Sequence, residues 1–129
     1  MTTDRQPVTA PGAPAAVGPY SHAVKTGDLL FCSGQVALDP ASGEVVGDTP
    51  AEQAERCLQN LEAVCEAAGT ELRRAIRCTV YLTDMRAFGA VNEVYGRFFG
   101  GDEPPARVAF GVAALPKGAQ VEVDAVVAL

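Results

Sequence analysis

No apolar run in this chain approaches the roughly 18 residues that a bilayer-spanning helix needs. The N-terminus, Met1-Thr2-Thr3-Asp4-Arg5-Gln6-Pro7, has neither the basic nor the apolar region of a secretion signal. A cytoplasmic location is expected. Histidine occurs once, as His22, and Cys32, Cys57, Cys65 and Cys78 contain no C-x-x-C pair. That spacing suggests neither a zinc site nor a redox dithiol, and the four thiols read as reduced side chains packed as small apolar groups. Cations are scarce as well: ten Lys and Arg against 16 Asp and Glu leave a formal net charge of -6, which repels nucleic-acid phosphate. No Ser/His/Asp set and no glycine-rich phosphate loop is present.

What remains is an ordinary globular composition, 48% hydrophobic and 20% charged over 129 residues, which suits one domain with one core. Pro7 to Gly18 is rich in Pro, Ala and Gly and reads as extended and poorly ordered. The expected division is therefore a flexible arm over residues 1–13 and a single domain over 14–129. Tyr20 to Lys25 and Leu29 to Ser33 read as strands around the turn Thr26-Gly27-Asp28, and Gln35 to Leu38 can pair with Val45-Val46.

Thr49-Pro50-Ala51-Glu52 is a helix start, with Thr49 as N-cap, Pro50 at the first helical position and Glu52 placed to close a capping box. The helix should end at Gly69, with Ala51, Ala54, Leu58, Leu61, Cys65 and Ala68 forming one apolar stripe. Arg74 to Leu82 alternates, placing Ile76, Cys78, Val80 and Leu82 on one face. Asp84 can cap a second helix with Met85, Phe88, Val91, Tyr95 and Phe98 on one side. Its stop at Gly100-Gly101 is where glycine permits a left-handed turn. Two further strands, about Ala106 to Leu115 and Ala119 to Leu129, flank the turn Pro116-Lys117-Gly118. Two helices can cover one face of such a sheet. The small apolar residues of Val108 to Ala114 and the run Leu29-Leu30-Phe31-Cys32 imply that the other face packs against further subunits.

Arg107 stands out, because a guanidinium on a largely apolar strand needs an anionic partner. If the valines of Val121-Glu122-Val123-Asp124 face the helices, Glu122 and Asp124 lie on the opposite face, and Arg107 on a neighbouring strand is within their reach. The residues alone leave two readings open: a structural Arg107–Glu122 ion pair, or a guanidinium that clamps a ligand carboxylate. They also leave Ser33 and Gly34 as a plain strand end, Tyr20 as an aromatic anchor, Asn92 as a surface amide and His22 as a structural histidine.

In order and spacing the chain resembles the Rid (YjgF-type) reactive-intermediate deaminases. The resemblance runs through Pro14-Ala15-Ala16-Val17-Gly18-Pro19-Tyr20, Cys32-Ser33-Gly34-Gln35, Glu66-Ala67-Ala68-Gly69 and Thr79-Val80-Tyr81-Leu82-Thr83-Asp84. It continues through Val91-Asn92-Glu93-Val94-Tyr95, Pro105-Ala106-Arg107 and Leu115-Pro116-Lys117 to Val121-Glu122-Val123. It covers nearly everything from Pro14 onward. The resemblance implies a chorismate-mutase-like α+β domain over 14–129, a mixed, mainly antiparallel sheet with two helices on one face, assembled as a homotrimer with clefts between subunits.

It also implies hydrolysis of 2-imine and 2-enamine acids to 2-keto acids and ammonia, with no cofactor or metal. Arg107 would clamp the substrate carboxylate and Glu122 would orient or activate water, while Tyr20, Ser33, Gly34 and Asn92 line the cleft. Ala109, also expected in the pocket, stands where many members carry cysteine, so a thiol role there is excluded. Asp124 replaces a frequent glutamate. A non-catalytic small-molecule-binding or chaperone-like trimer and an endoribonuclease are the alternatives, the last disfavoured by the net charge of -6.

Overall fold

The structure, a computed structural model, describes residues 4–129; Met1, Thr2 and Thr3 of the expected arm lie outside the described residues. Among the described residues the chain forms six strands and two helices. In order they are β1 (Gln6–Val8), β2 (Ala23–Thr26), β3 (Leu29–Val36), α1 (Pro50–Ala67), β4 (Ala75–Leu82), α2 (Phe88–Phe99), β5 (Ala106–Gly111) and β6 (Val121–Ala128). No helix among them is long and apolar enough to cross a membrane.

α1 begins as its sequence dictates. The Thr49 side chain accepts from the Glu52 backbone N–H at 3.2 Å and donates its hydroxyl to the Glu52 carboxylate at 3.0 Å. Its far end turns at Gly69, which adopts φ 84 as a residue without Cβ readily does. Leu58, Leu61, Val64 and Cys65 on its inner face are fully buried against the sheet. Asp84 accepts from the Arg86 N–H at 2.9 Å and opens a single 3-10 turn, Met85–Ala87, that leads into α2. The stop of α2 departs from expectation: Gly100 has φ -80, so no left-handed residue ends the helix. Glycine is needed there for space, since a Cβ would collide with the Gly96 carbonyl.

All six strands join one sheet in the order β1-β2-β3-β6-β4-β5. Every pairing is antiparallel except β4 with β5, which is parallel and is connected through α2. The α+β class and the mixed, mainly antiparallel sheet therefore match the expectation. The relation of the last two strands does not: they form no hairpin, because β4 lies between β5 and β6. β6 is the spine of the sheet. Val121, Val123, Ala125 and Val127 are buried beneath the helices and alternate with half-buried Glu122, Asp124, Val126 and Ala128 on the other face. That second face exposes Phe31, Val108 and Phe110.

Two β-bulges modify the pattern read from sequence. Cys32 pairs with Ala125 but Gln35 with Val123, so Ser33-Gly34 contains one extra residue in β3. Likewise Ala75 pairs with Val127 and Arg77 with Val126, and Ile76 is thrown outward at the bulge, 46% exposed rather than buried with Cys78.

The described part of the expected flexible arm is structured. Gln6, Pro7 and Val8 pair with Lys25, Val24 and Ala23, and Val8, Ala10 and Ala13 are buried. Small side chains can bury without much area, and proline is tolerated on an edge strand. His22 completes the attachment: its Nδ1 accepts the Ala10 N–H at 2.9 Å and its Nε2 donates to the Pro14 carbonyl at 2.7 Å. An accepting Nδ1 fixes the neutral tautomer with the proton on Nε2. All four cysteines are free and buried, as their spacing suggested.

Candidate active site

The predicted site residues fall into two groups within one chain. The first surrounds Glu122. Its carboxylate and Tyr20, Ser33 and Gly34 line a cavity of about 350 Å³, walled further by Val17, Val36, Leu38 and Pro116. The Ser33-Gly34 bulge brings this backbone against Glu122, and a Cβ on Gly34 would overlap the carboxylate. Gly34 is therefore a close-approach glycine. Ser33 donates its hydroxyl hydrogen to the Ser21 carbonyl at 2.6 Å, which leaves the oxygen lone pairs for an incoming donor. Tyr20 is half exposed, and its hydroxyl oxygen lies 3.4 Å from the Val17 N–H.

Burial, and then the neighbouring Asp124 carboxylate, push the Glu122 carboxyl above the usual carboxylate range. Asp124 itself is tied down, accepting from the Tyr81 hydroxyl at 2.7 Å and the Thr79 N–H at 3.2 Å. A half-buried carboxylate with a raised pKa in an apolar-walled cavity is a stronger base than a solvated one and is suited to proton transfer. Larger depressions occur elsewhere, one of about 490 Å³ among Glu55, Glu62, Glu66, Arg73 and Arg97 on the helical surface. That depression is walled largely by charged surface side chains, whereas the smaller cavity is mostly apolar around one carboxylate, which makes it the better site for a small ligand.

The second group surrounds Arg107 on the edge strand β5. Its Nη1 donates to Asn92 Oδ1 at 2.6 Å, and its guanidinium carbon lies 5.3 Å from the Phe88 ring centroid and 4.8 Å from that of Tyr95. Arg107 thus lies on the α2 face of the sheet, together with Ala109, which packs against the core. The expected nearness of Arg107 and Glu122 is corrected: β4 separates their strands and the side chains occupy opposite faces. An ion pair between them inside one chain is excluded. The ion pairs among the described residues are Arg73–Glu71 and Arg86–Asp84, and the Arg107 charge has no carboxylate partner.

Sequence reasoning missed several contributors. Asn60, fully buried on α1, donates to the carbonyls of Val36 and Leu38 at 3.2 and 3.0 Å and so fixes two cavity walls. Gln53 holds the Gly47 carbonyl at 3.0 Å and the Gln120 N–H at 2.8 Å, anchoring the chain just before Glu122. Gln53 and Asn60 lie seven residues apart on the flank of the α1 stripe, beside Cys57 and Val64, where the stripe pattern gave no signal that they are buried. Lys117 lines the cavity in the left-handed region, φ 57, with its ammonium 2.9 Å from the Gly43 carbonyl.

The family model described as Endoribonuclease L-PSP matches residues 10–129. The RutC family protein y4sK of Sinorhizobium fredii is 52% identical over 124 residues, covering 96% of this chain and 98% of that protein. The 2-iminobutanoate/2-iminopropanoate deaminase of Mus musculus is 45% identical over 122 residues, covering 95% of this chain and 90% of the enzyme. Among solved structures, RidA from an Antarctic Psychrobacter superimposes with a TM-score of 0.91 at 41% identity, covering 96% of this chain and 99% of its own. Shared fold and identity of this extent, over nearly the whole chain, make this protein a member of the Rid/YjgF/RutC family.

Proposed function

We propose that this protein hydrolyses 2-imine and 2-enamine acids of the 2-aminoacrylate type to 2-keto acids and ammonia. The observation that carries the reading is Glu122, a half-buried carboxylate with a raised pKa at an apolar-walled cavity that a small substrate would fit. The mammalian relatives named 2-iminobutanoate/2-iminopropanoate deaminases support it.

The chemistry asks little of the protein. A protonated imine carbon is already electrophilic, and C=N plus water gives C=O plus ammonia with no change of oxidation state. Arg107 would take the substrate carboxylate in two parallel N–H···O bonds. Glu122 would accept a proton from water as its oxygen adds to C2, and return a proton to nitrogen as the C–N bond of the carbinolamine breaks. An enamine would first gain a proton at C3 to become the imine. Ser33 Oγ offers lone pairs to the iminium N–H, and Tyr20 closes the cavity.

Because Arg107 and Glu122 lie on opposite faces, the complete site would form where the Arg107 face of one copy meets the Glu122 cavity of another, consistent with a homotrimer. The exposed Phe31, Val108 and Phe110 are the apolar surface such packing would cover. The test is Arg107→Ala, with the imine generated in situ by an amino-acid oxidase and keto acid release followed. A fall in kcat/KM of about 10²–10³-fold is expected for losing a charge-assisted clamp; parent-like activity would overturn the proposal. The family description also names an endoribonuclease, a reading opposed by the net charge of -6. RNA cleavage that copurifies with the chain and vanishes in Glu122→Gln would restore it.

A further inference from the structure

Three side chains of α2 meet the Arg107 guanidinium, and none carries a charge. Phe88, Asn92 and Tyr95 are four and three residues apart, so they share one helical face. Asn92 Oδ1 takes one Nη1 hydrogen at 2.6 Å, while the Phe88 and Tyr95 rings approach the cation to 5.3 and 4.8 Å. An aromatic face attracts a cation through its quadrupole, and the planar guanidinium stacks where an ammonium would not. A carboxylate in the place of Asn92 would hold the arginine more strongly, but it would occupy the N–H fork and cancel the charge. The neutral groups hold its plane and leave its charge uncompensated.

Tyr95 supplies its ring rather than its hydroxyl. The hydroxyl is buried beside the Cys78 thiol and makes no hydrogen bond of acceptable geometry. The ring is nearly fully buried and leans on Phe99 at 4.6 Å, which stiffens it. Cys78 is the register partner of Arg107 on β4, so the stem of the arginine and the tyrosine share a wall.

We propose that Phe88 and Tyr95 are positioning residues that, with Asn92, form a neutral aromatic seat orienting the Arg107 guanidinium toward a substrate carboxylate. This rests on the reading of Arg107 as the carboxylate clamp. The seat belongs to the chain that supplies Arg107 and exists without a partner, so the clamp is preset before substrate arrives.

The full-length protein tests it, with 2-oxobutanoate affinity measured by calorimetry and steady-state constants measured on imine generated in situ. Phe88→Leu and Tyr95→Leu are each expected to raise Kd and KM about tenfold with kcat changed less than about twofold. Tyr95→Phe, which keeps the ring, restores both constants. In an Arg107→Ala background the leucine substitutions should have no further effect, since the cation they orient is gone. If they weaken binding equally with and without Arg107, their role is packing and the proposal fails. Should Tyr95→Leu not fold, the half-buried Phe88 carries the same cycle. Parent-like binding by Phe88→Leu with binding lost in Arg107→Ala removes the seat and keeps the clamp; unchanged binding in Arg107→Ala removes both.

Discussion

Glu122 and Arg107 occupy opposite kinds of position in the sheet. Glu122 rides on β6, flanked by β3 and β4 with hydrogen bonds on both sides, and its setting is shaped by a bulge and by buried Asn60 and Gln53. Arg107 rides on β5, an edge strand with a single sheet neighbour, and is steadied by one helix. The group proposed to move protons thus has the more rigid support. The group proposed only to bind has the more exposed one. A proton-transferring carboxylate tolerates little displacement, while a long guanidinium with several donors can adjust.

Substitutions can break this contrast at its strong end first. Glu122→Gln keeps the volume and removes the base, so kcat should fall about 10²–10⁴-fold while 2-oxobutanoate affinity stays near that of the parent. The same change should raise stability at neutral pH. A carboxyl whose folded pKa is raised favours the fold below its unfolded value, and that contribution is lost as pH rises through the folded pKa. Thermal melts in a series from pH 4, below the ordinary carboxyl value of 4.5, up to pH 8 would show the parent losing more stability than Glu122→Gln over that interval. Equal pH dependence in the two proteins would mean that the carboxyl is not perturbed.

Gly34→Ala addresses the support rather than the group. With a methyl where the carboxylate now lies, kcat should drop about 10²-fold, the scale of a 1 Å misplacement. Circular dichroism should be unaltered. An active Gly34→Ala enzyme would show that the Glu122 position is looser than the bulge implies.

His22→Ala tests whether the N-terminal segment serves the Glu122 half. It leaves the Ala10 N–H and the Pro14 carbonyl without partners, at a cost of about 1–3 kcal/mol for each group kept from water. Denaturant unfolding should register that loss, and limited proteolysis should cut within residues 4–14. KM should rise modestly through Ala15 and Val17, whose cavity wall follows Pro14.

Asp124→Asn gives the smallest effect and sharpens the contrast most finely. Glu122 is raised first by burial and secondly by Asp124. Neutralising Asp124 should therefore lower the acid limb of the kcat/KM profile without bringing it down to the ordinary carboxylate value. An unmoved limb would assign the whole shift to burial.

Much of this architecture was legible locally. Thr49-Pro50-Ala51-Glu52 and Gly69 delimit α1 because caps are made by residues adjacent in sequence, and the valines of β6 announce their face by simple alternation. What was not legible depends on distant pairing. Strands joined by Pro116-Lys117-Gly118 look like a hairpin, yet β5 pairs in parallel with β4, and no local signal distinguishes the two arrangements. That mistake placed Arg107 beside Glu122. The bulges at Ser33-Gly34 and Ile76 are equally silent, since an extra residue is defined only against its partner strand. Pro, Ala and Gly in the first residues suggested disorder, but Val8, Ala10 and Ala13 bury because β2 and His22 offer them a surface. The resemblance named the candidate residues. It did not give their division into two groups.

That division has a genetic signature. If, as proposed, one chain supplies Arg107 and another Glu122 to the same cleft, a variant lacking either residue would be defective but would still own one sound half. Co-refolding Arg107→Ala with Glu122→Gln in equal amounts should return activity to a mixture of two inactive proteins. Random assortment leaves about a quarter of the clefts with both native residues. Two defective alleles expressed together would then complement each other, because β4 holds the two residues of any single chain apart.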